Sequence, residues 1–184
     1  ESYASVSGGV LHVNDNGTAS ENKVKWARYW DATNCRGTTV MARARCASYS
    51  LNGSDIPDII LEDGRFSESF AILSDKIKAN NANISANLDG TQWHDYRITT
   101  QGTQFSVYVN ESAAPVLAGT LSVSAGNRSR ISFGSGSGAS TQDIYYDYVY
   151  AFDNGVQGPS TATLDQTPDV SVSVSDIAGK GSLS

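Results

Sequence analysis

The sequence predicts an all-β fold of antiparallel strands, and three observations support this prediction. Short runs that alternate apolar and polar residues recur along the chain, and clusters of Gly, Asn, Asp or Ser separate them. Thr, Ser, Val and Tyr, which suit strands and turns, are abundant, whereas few segments have the period of an amphipathic helix. The 184 residues are enough to bury the core of one ordinary domain.

The first predicted strands cover residues 10–13 and 23–30, and a turn at residues 14–17 ends the first of them. Residues 38–49 form one long predicted strand. Its even positions are small and apolar and are expected in the core: Val40, Ala42, Ala44 and Cys46. Its odd positions then face away from the core, and these include Arg43 and Arg45.

The clearest hairpin spans residues 58–73, because Asp63-Gly64 is a strong type I′ turn signal between two strands. A two-residue loop at this place would pair Glu62 with Arg65 as a cross-strand ion pair. In this register Glu68 falls on the apolar face. The sequence therefore predicts either a bulge at this position or a buried carboxylate with polar partners.

A second hairpin is expected over residues 93–110, with a Gly-containing turn near Gln101-Gly102. Residues 130–133 form a further strand, and residues 144–152 form the last strand of the domain. Strict alternation divides the tyrosines of that last strand between its two faces, so two of the four are expected to be structural: Tyr145, Tyr146, Tyr148 and Tyr150.

The composition changes at residue 157, where Ser, Thr, Asp and Pro become dominant. We therefore assign residues 1–156 to one domain and residues 157–184 to a linker or tail. Within the tail, residues 169–176 alternate Val with polar residues, which predicts an extra strand. Its partner is either the sheet of a neighbouring subunit or the sheet of its own domain.

The charge and the cysteines limit the class of protein. A net charge of -6 and a pI near 4.7 argue against nucleic acid or an anionic membrane as the main partner. No apolar run approaches the roughly 18 residues of a membrane helix. The chain begins at Glu1 without Met, which favours a processed protein or a domain cut from a longer chain. In an exported protein, Cys35 and Cys46 are expected to form a disulfide, and two free thiols are the alternative.

Two stretches, WHDYRITTQGTQFSVYVN at residues 93–110 and DIYYDYVYAFD at residues 143–153, resemble the late strands of concanavalin A-like (laminin G-like) jelly rolls. The resemblance covers residues 8–153 and implies an antiparallel two-sheet β-sandwich. It also implies ligands bound on or near a concave sheet. Lectins, carbohydrate-binding modules, adhesion domains, glycoside hydrolases and polysaccharide lyases share this fold, so the function depends on the site.

The stretch at residues 147–150 also looks like the closing strand of glycoside hydrolase family sixteen, where an Asp helps to bind structural calcium. This resemblance makes Asp147 a candidate calcium ligand, and a hydrogen-bonded Asp in a strand is the alternative. The catalytic Glu-x-Asp-x-x-Glu pattern of that family is missing. Of the alginate-lyase pattern, which joins an Arg-rich strand to a Gln-x-His triplet and a Tyr-Lys strand, we identify only the arginines.

Arg43 and Arg45 suit the carboxylate or sulfate groups of an acidic glycan, and surface ion pairs are the alternative. Aromatic rings suit the C–H face of a sugar. The other residues of the predicted glycan-binding set are Tyr29, Trp30, Glu62 and Arg65. The sequence thus predicts a non-catalytic carbohydrate-binding or adhesion module of an exported protein. Two alternatives stay open: a subunit of an extracellular fibre or array assembled by exchange of the C-terminal strand, and a divergent polysaccharide hydrolase or lyase.

Overall fold

The computed structural model describes residues 4–16, 24–29, 37–53, 55–126, 128–135, 139–152, 155–156 and 170–173. The regular structure in these ranges consists of fifteen strands in two antiparallel sheets, so the prediction of an all-β sandwich is confirmed. Within the same ranges, no helix is long and apolar enough to cross a membrane.

The larger sheet has eight strands. Its neighbours follow in the order β1 (Ala4–Ser7), β2 (Val10–Asp15), β14 (Thr141–Phe152), β4 (Thr38–Ser50), β9 (His94–Gln101), β10 (Gln104–Val109) and β11 (Leu117–Thr120). The eighth strand, β15 (Val170–Ser173), pairs with β14. We call the side of this sheet that turns away from the core the outer face.

The smaller sheet has seven strands. Its neighbours follow in the order β3 (Val24–Tyr29), β13 (Ser129–Ser135), β5 (Ile59–Asp63), β6 (Phe66–Ile72), β7 (Lys76–Ala79) and β8 (Ile84–Asn87). The seventh strand, β12 (Val123–Ser124), pairs with β6. The segment at residues 76–84 is thus the start of a hairpin between β7 and β8.

The core lies between the two sheets. The four small apolar residues of β4 that alternation assigned to the core are fully buried, so that prediction is confirmed. Phe70 and Phe105 meet edge to face across the core, with ring centroids 5.4 Å apart. Trp26 stacks on Phe133 at 5.5 Å and is also a core residue. Complete burial of one large side chain of this kind stabilises a fold by about 2 kcal/mol.

The hairpin between β5 and β6 lies where the sequence predicts it, but the predicted register is wrong by two residues. Glu62 pairs with Ser67, and not with Arg65. The side chain of Asp63 causes this difference, because its Oδ1 accepts the backbone N–H groups of Arg65 and Phe66 at 2.9 and 2.7 Å. A turn closed by an Asp side chain replaces the two-residue type I′ turn.

Glu68 faces the core opposite Leu61, in a stretch of the β5–β6 ladder without a bulge. Its carboxylate is 1% exposed and accepts the backbone N–H groups of Ser69, Asn81 and Ala82 at 2.8 to 3.0 Å. Of the two expectations for this residue, the buried carboxylate with polar partners is therefore correct. Burial raises the pKa of Glu68, although the three N–H groups oppose the shift.

The C-terminal strand β15 pairs with its own domain. Tyr148 lies opposite Ser173 and Val149 lies opposite Val172. Strand β2 pairs with residues 142–146 of β14, and β15 pairs with residues 148–151 along the same edge of β14. In register, Val170 and Val172 lie opposite Ala151 and Val149 of β14. The exchange of this strand between subunits stays a prediction.

Candidate functional site

Chemically active side chains concentrate on the outer face of the eight-stranded sheet. Register places them in rows across the strands β2, β14, β4 and β9. In one row His12, Tyr145 and Arg45 are neighbours. In the next row Tyr148, Arg43 and Asp95 are neighbours. The residues of these rows with Trp93 and Asp147 form the candidate site: His12, Arg43, Arg45, Trp93, Asp95, Tyr145, Asp147 and Tyr148.

A bulge in β14 creates much of this face. The pairing with β4 shifts between Tyr146 and Tyr148, which leaves Asp147 without a register partner on that strand. Both Asp147 and Tyr148 therefore turn outward, and three tyrosines share the outer face while only Tyr146 lies in the core. Only one of the four tyrosines is therefore a core residue, and not two as expected, because the bulge turns Tyr148 and Tyr150 away from the side that strict alternation shares with Tyr146.

Arg45 lies within a stack of four side chains that we call the Arg45 stack: His12, Tyr145, Arg45 and Trp93. The Arg45 guanidinium carbon is 4.1 Å from the Tyr145 ring centroid and 5.5 Å from that of Trp93. The His12 ring is parallel to Tyr145 within 4°, at a centroid distance of 4.3 Å. Because β2 and β4 flank β14 on opposite sides, His12 and Arg45 approach Tyr145 from opposite directions.

Arg43 has a different environment, because two carboxylates neutralise it. Its Nη1 lies 3.3 and 3.2 Å from the two carboxylate oxygens of Asp95. Its Nε lies 3.4 Å from Oδ2 of Asp147. The hydroxyl of Tyr148 donates to Asp95 at 2.7 Å, which holds that carboxylate in place. The alternative of surface ion pairs therefore applies to Arg43.

A third arginine, Arg97, lies on the same face and was not singled out by sequence analysis. It is 2% exposed and forms a two-point ion pair with Glu111, at 2.7 and 3.2 Å. Glu111 has a φ of 54°, a left-handed conformation that costs a non-glycine residue energy. The turn after β10 is thus held in an unfavourable conformation that places a carboxylate on Arg97.

His12 has an acidic partner that its sequence neighbourhood does not show. Its Nε2 lies 2.5 Å from Oδ1 of Asp143, which is 131 positions away in the chain. The pairing of β2 with β14 brings the two together. Only the strand order reveals this pair, because the two residues are far apart in the sequence.

The carboxylate of Asp147 forms an ion pair within the sheet. The carboxylate is paired with the guanidinium of Arg43, whereas Ca²⁺ takes six to eight oxygen ligands. Among the described residues, no three His, Cys, Asp or Glu side chains group as metal ligands would. Calcium at Asp147 stays a prediction, and the observed contacts favour the alternative of an Asp bound within the sheet.

The other predicted glycan-binding residues lie on the other sheet or outside the described residues. Tyr29, on β3, is 60% exposed, and Arg130 lies over its ring at 5.9 Å. Arg65 is exposed at the β5–β6 turn, with its guanidinium 5.4 Å from the Phe66 ring. Trp30 lies outside the described residues. Because the core separates the two sheets, Tyr29 and Arg65 do not share one site with Arg43 and Arg45.

The expected ion pair between Glu62 and Arg65 is wrong, because the partners of Glu62 are Arg128, just before β13, and Arg130, within it. The carboxylate is 2% exposed and lies 2.8 Å from Nη2 of Arg128, and it also accepts from Nε of Arg130. The register of β5 with β13 places Glu62 directly opposite Arg130.

We expect a double-mutant cycle to show coupling between Glu62 and Arg130 and none between Glu62 and Arg65. The variants Glu62→Gln and Arg130→Met should be coupled by about 1 kcal/mol in the free energy of unfolding, because the pair is largely shielded from water. Urea unfolding of the single and double variants measures this coupling. Measured coupling between Glu62 and Arg65 would instead support the two-residue hairpin loop that the sequence predicts.

Cys46 is buried and faces the core, and it has no disulfide partner among the described residues. Burial raises its pKa to about 12, and its Sγ donates to the carbonyl of Ser48 at 3.3 Å. Cys35 lies outside the described residues, so the disulfide stays a prediction.

The triplet Gln92-Trp93-His94 fits the Gln-x-His pattern, which sequence analysis overlooked. The structure separates its His from the arginines. His94 pairs in register with Ala44, a core-facing residue, while Arg43 and Arg45 face outward. Both ring nitrogens of His94 are occupied, one by the carbonyl of Asp89 and the other by the Asn110 side chain, each at 2.9 Å.

Comparison with solved structures identifies the fold. A cellulose-induced protein, Cip1, superposes with a TM-score of 0.55 at 9% identity over 80% of both chains. The alginate lyase AlgAT5 of polysaccharide lyase family 7 gives 0.54 at 12% identity over 82% of both chains. The binding domain of botulinum neurotoxin DC, in complex with SialylT, gives 0.56 at 12% identity over 85% of this chain and 42% of the other.

These similarities and the two-sheet topology define the protein as a concanavalin A-like jelly roll, as the resemblance implied. No protein-family model and no curated protein sequence matches the chain. At these low identities the comparisons establish the fold, and the function has to be argued from the outer face.

Proposed function

We propose that this chain is a non-catalytic glycan-binding module of an exported protein, and that it binds its ligand on the outer face of the eight-stranded sheet. The observation that carries the proposal is the Arg45 stack beside the network of Arg43, Asp95 and Tyr148. Trp93 and Tyr145 are half-buried, so the fold anchors their rings and leaves part of each accessible. Such rings bind the C–H side of a sugar, while the polar groups nearby bind hydroxyls.

The comparisons support a carbohydrate ligand. The names of three matched proteins refer to alginate lyase, to lichenase and to a toxin domain in complex with SialylT. Binders and enzymes both occur among them, so the class of ligand is supported more strongly than the activity. An extracellular location is consistent with a polysaccharide or glycoconjugate as the partner.

The contacts on the outer face favour binding over turnover. A glycosidase needs two carboxyl groups free to act on opposite sides of one glycosidic bond. Here Asp95 and Asp147 are both bound to Arg43. A lyase needs a side chain that acts as a base. Burial and the hydrogen bond to Asp95 raise the pKa of Tyr148, so its hydroxyl keeps its proton and does not suit this role. His94 does not face the arginines, so the groups of the alginate-lyase pattern do not converge.

We expect the wild-type chain to bind glycans on an array without cleaving them, and Trp93→Ala to weaken that binding by about tenfold or more. Loss of the indole removes both a surface for sugar and one side of the Arg45 stack. Titration calorimetry with the best array ligand measures the affinity. Assays for reducing ends and for unsaturated uronate products measure turnover.

Tyr29→Ala is the matched variant, because it removes an exposed ring from the other sheet. Weaker binding by this variant, with Trp93→Ala unaffected, would move the site to the seven-stranded sheet. If the purified chain forms products and substitutions on the outer face abolish this activity, the protein is an enzyme and not a binding module.

A further inference from the structure

We infer that the ligand is an acidic glycan and that Arg45, alone among the three arginines of the outer face, binds its carboxylate or sulfate group. This inference rests on the proposed function and names the chemical class of its ligand. It follows from the charge balance of the outer face and from the geometry of the Arg45 stack.

The charge balance separates the three arginines. Arg43 is neutralised by Asp95 and Asp147, and Arg97 is neutralised by Glu111. Among the residues that the structure describes, no carboxylate lies within 4.0 Å of the Arg45 guanidinium. Its described contacts are with the rings of Trp93 and Tyr145. Arg45 thus carries a positive charge that the fold does not use in an ion pair.

The stack also prepares Arg45 for an anion that accepts two N–H bonds side by side. A guanidinium presents its N–H groups at its edge, so contacts of its carbon atom with ring faces leave N–H donors for a ligand. Tyr145 and Trp93 hold the group from two sides, which restricts its rotation before a ligand arrives. A carboxylate or sulfate can then accept two parallel N–H bonds, with less conformational entropy left to lose.

Because the chain has a negative net charge, binding of an acidic glycan needs a local positive charge. A protein with a net charge of -6 repels an acidic glycan at long range. Selective binding of an anion therefore requires a local positive charge that the protein's own carboxylates do not cancel. On the outer face, Arg45 meets this requirement among the described arginines.

The competing explanation is that Arg45 only holds Trp93 and Tyr145 together through cation–π contacts. The two explanations differ in what they predict for matched ligands. A positioning role changes the affinity for acidic and neutral glycans by the same factor. A role in anion recognition changes the ratio between them.

The test uses the full chain and oligosaccharide pairs of identical length and linkage: uronates against neutral hexoses, sulfated against unsulfated chains, and sialylated against asialo chains. We expect the wild type to bind one acidic member about ten- to a hundredfold more tightly than its neutral partner. Arg45→Met should abolish this ratio. Arg45→Lys should lose most of it, because an ammonium keeps the charge but not the planar fork.

Arg28→Met is the charge-matched control, because Arg28 is an exposed arginine of the seven-stranded sheet. It should leave the acidic-to-neutral ratio unchanged, and thermal melting of all variants confirms that they are folded. The oligosaccharide pair whose affinity ratio changes in Arg45→Met shows whether the anion is a carboxylate or a sulfate.

The outcomes separate this inference from the proposed function. Binding of no glycan overturns both. Equal affinity for acidic and neutral partners, or an equal loss for both in Arg45→Met, keeps the glycan-binding module and overturns the inference. An acidic-to-neutral ratio that survives intact in Arg45→Lys overturns the argument from the planar fork.

Discussion

Replacing Asp58 with Ala is expected to lower the free energy of unfolding by about 2 to 5 kcal/mol, whereas replacing it with Asn is expected to raise that energy at neutral pH. Asp58 is completely buried and ties the two sheets together. Its Oδ2 accepts the backbone N–H of Ile72 at 2.6 Å and the side-chain Nε2 of Gln142 at 2.9 Å. The Ala variant removes the acceptor of the buried Ile72 N–H and of one N–H of Gln142, whose other N–H still donates to the carbonyl of Ile72, and this accounts for the large loss.

The Asn variant behaves differently because Asp58 carries a proton more readily than an ordinary carboxyl group. Burial raises its pKa well above the usual value for Asp, although the bonds from Gln142 and Ile72 oppose the shift. Oδ1 of Asp58 and Oε1 of Gln142 are buried acceptors without a donor among the described residues. An Asn amide keeps the two accepted bonds and adds the donor group that a protonated acid would supply.

The pH dependence follows from the direction of this shift. A carboxyl group whose pKa is raised by folding stabilises the fold fully below its unfolded pKa, near 4. That contribution is lost as the pH rises through the raised value, by at most about 1.4 kcal/mol per pH unit. Wild type and Asp58→Asn should therefore have similar stability near pH 4 and diverge in favour of the variant toward neutral pH.

Urea unfolding at a series of pH values measures the difference between the two proteins. Taking the difference removes the contribution of Glu68, whose pKa burial also raises and which both proteins share. If the difference in the free energy of unfolding does not change with pH, then Asp58 is ionised inside the fold and its Oδ1 has a partner.

Local alternation predicted the parts of the candidate site that depend on a single strand. In β4 it assigned Val40 and Ala42 to the core and Arg43 and Arg45 to the opposite side, and the structure agrees. The hairpin of β9 and β10 was predicted for the same reason, since its turn signal and both strands are contiguous. These features depend on side-chain direction along one strand, which has a period of two.

The remaining contacts depend on which strands become neighbours and on side chains that alter the register. His12 reaches Asp143 because β2 lies beside β14, and Glu62 reaches Arg130 because β13 lies beside β5. The bulge at Asp147 changes the direction of every residue that follows it in β14. No local pattern contains this information, because pairing between distant segments is decided by the packing of the whole sandwich.

Replacing Gly90 with Ala is expected to destabilise the fold by about 1 to 3 kcal/mol and to weaken glycan binding as well. A Cβ atom at this position would lie 1.9 Å from the carbonyl oxygen of Leu73. That oxygen belongs to the backbone, so no rotation of a side chain can relieve the overlap. The carbonyl of Gly90 also accepts the N–H of Cys46 at 2.9 Å, which joins this loop to β4.

The effect on binding arises because the same loop leads to Trp93, which completes the Arg45 stack. A shift at Gly90 moves the indole away from Arg45, although the variant retains every side chain of the outer face. Calorimetry at a temperature where Gly90→Ala is fully folded should thus show a lower affinity.

Gly8→Ala is the control, because Gly8 lies in an exposed turn with a φ of 59° and has no atom within 4 Å of the added methyl group. It should cost about 1 kcal/mol through its backbone conformation and leave binding intact. Wild-type stability and affinity in Gly90→Ala would instead mean that the loop adapts without cost and that Trp93 does not depend on the close approach to Leu73.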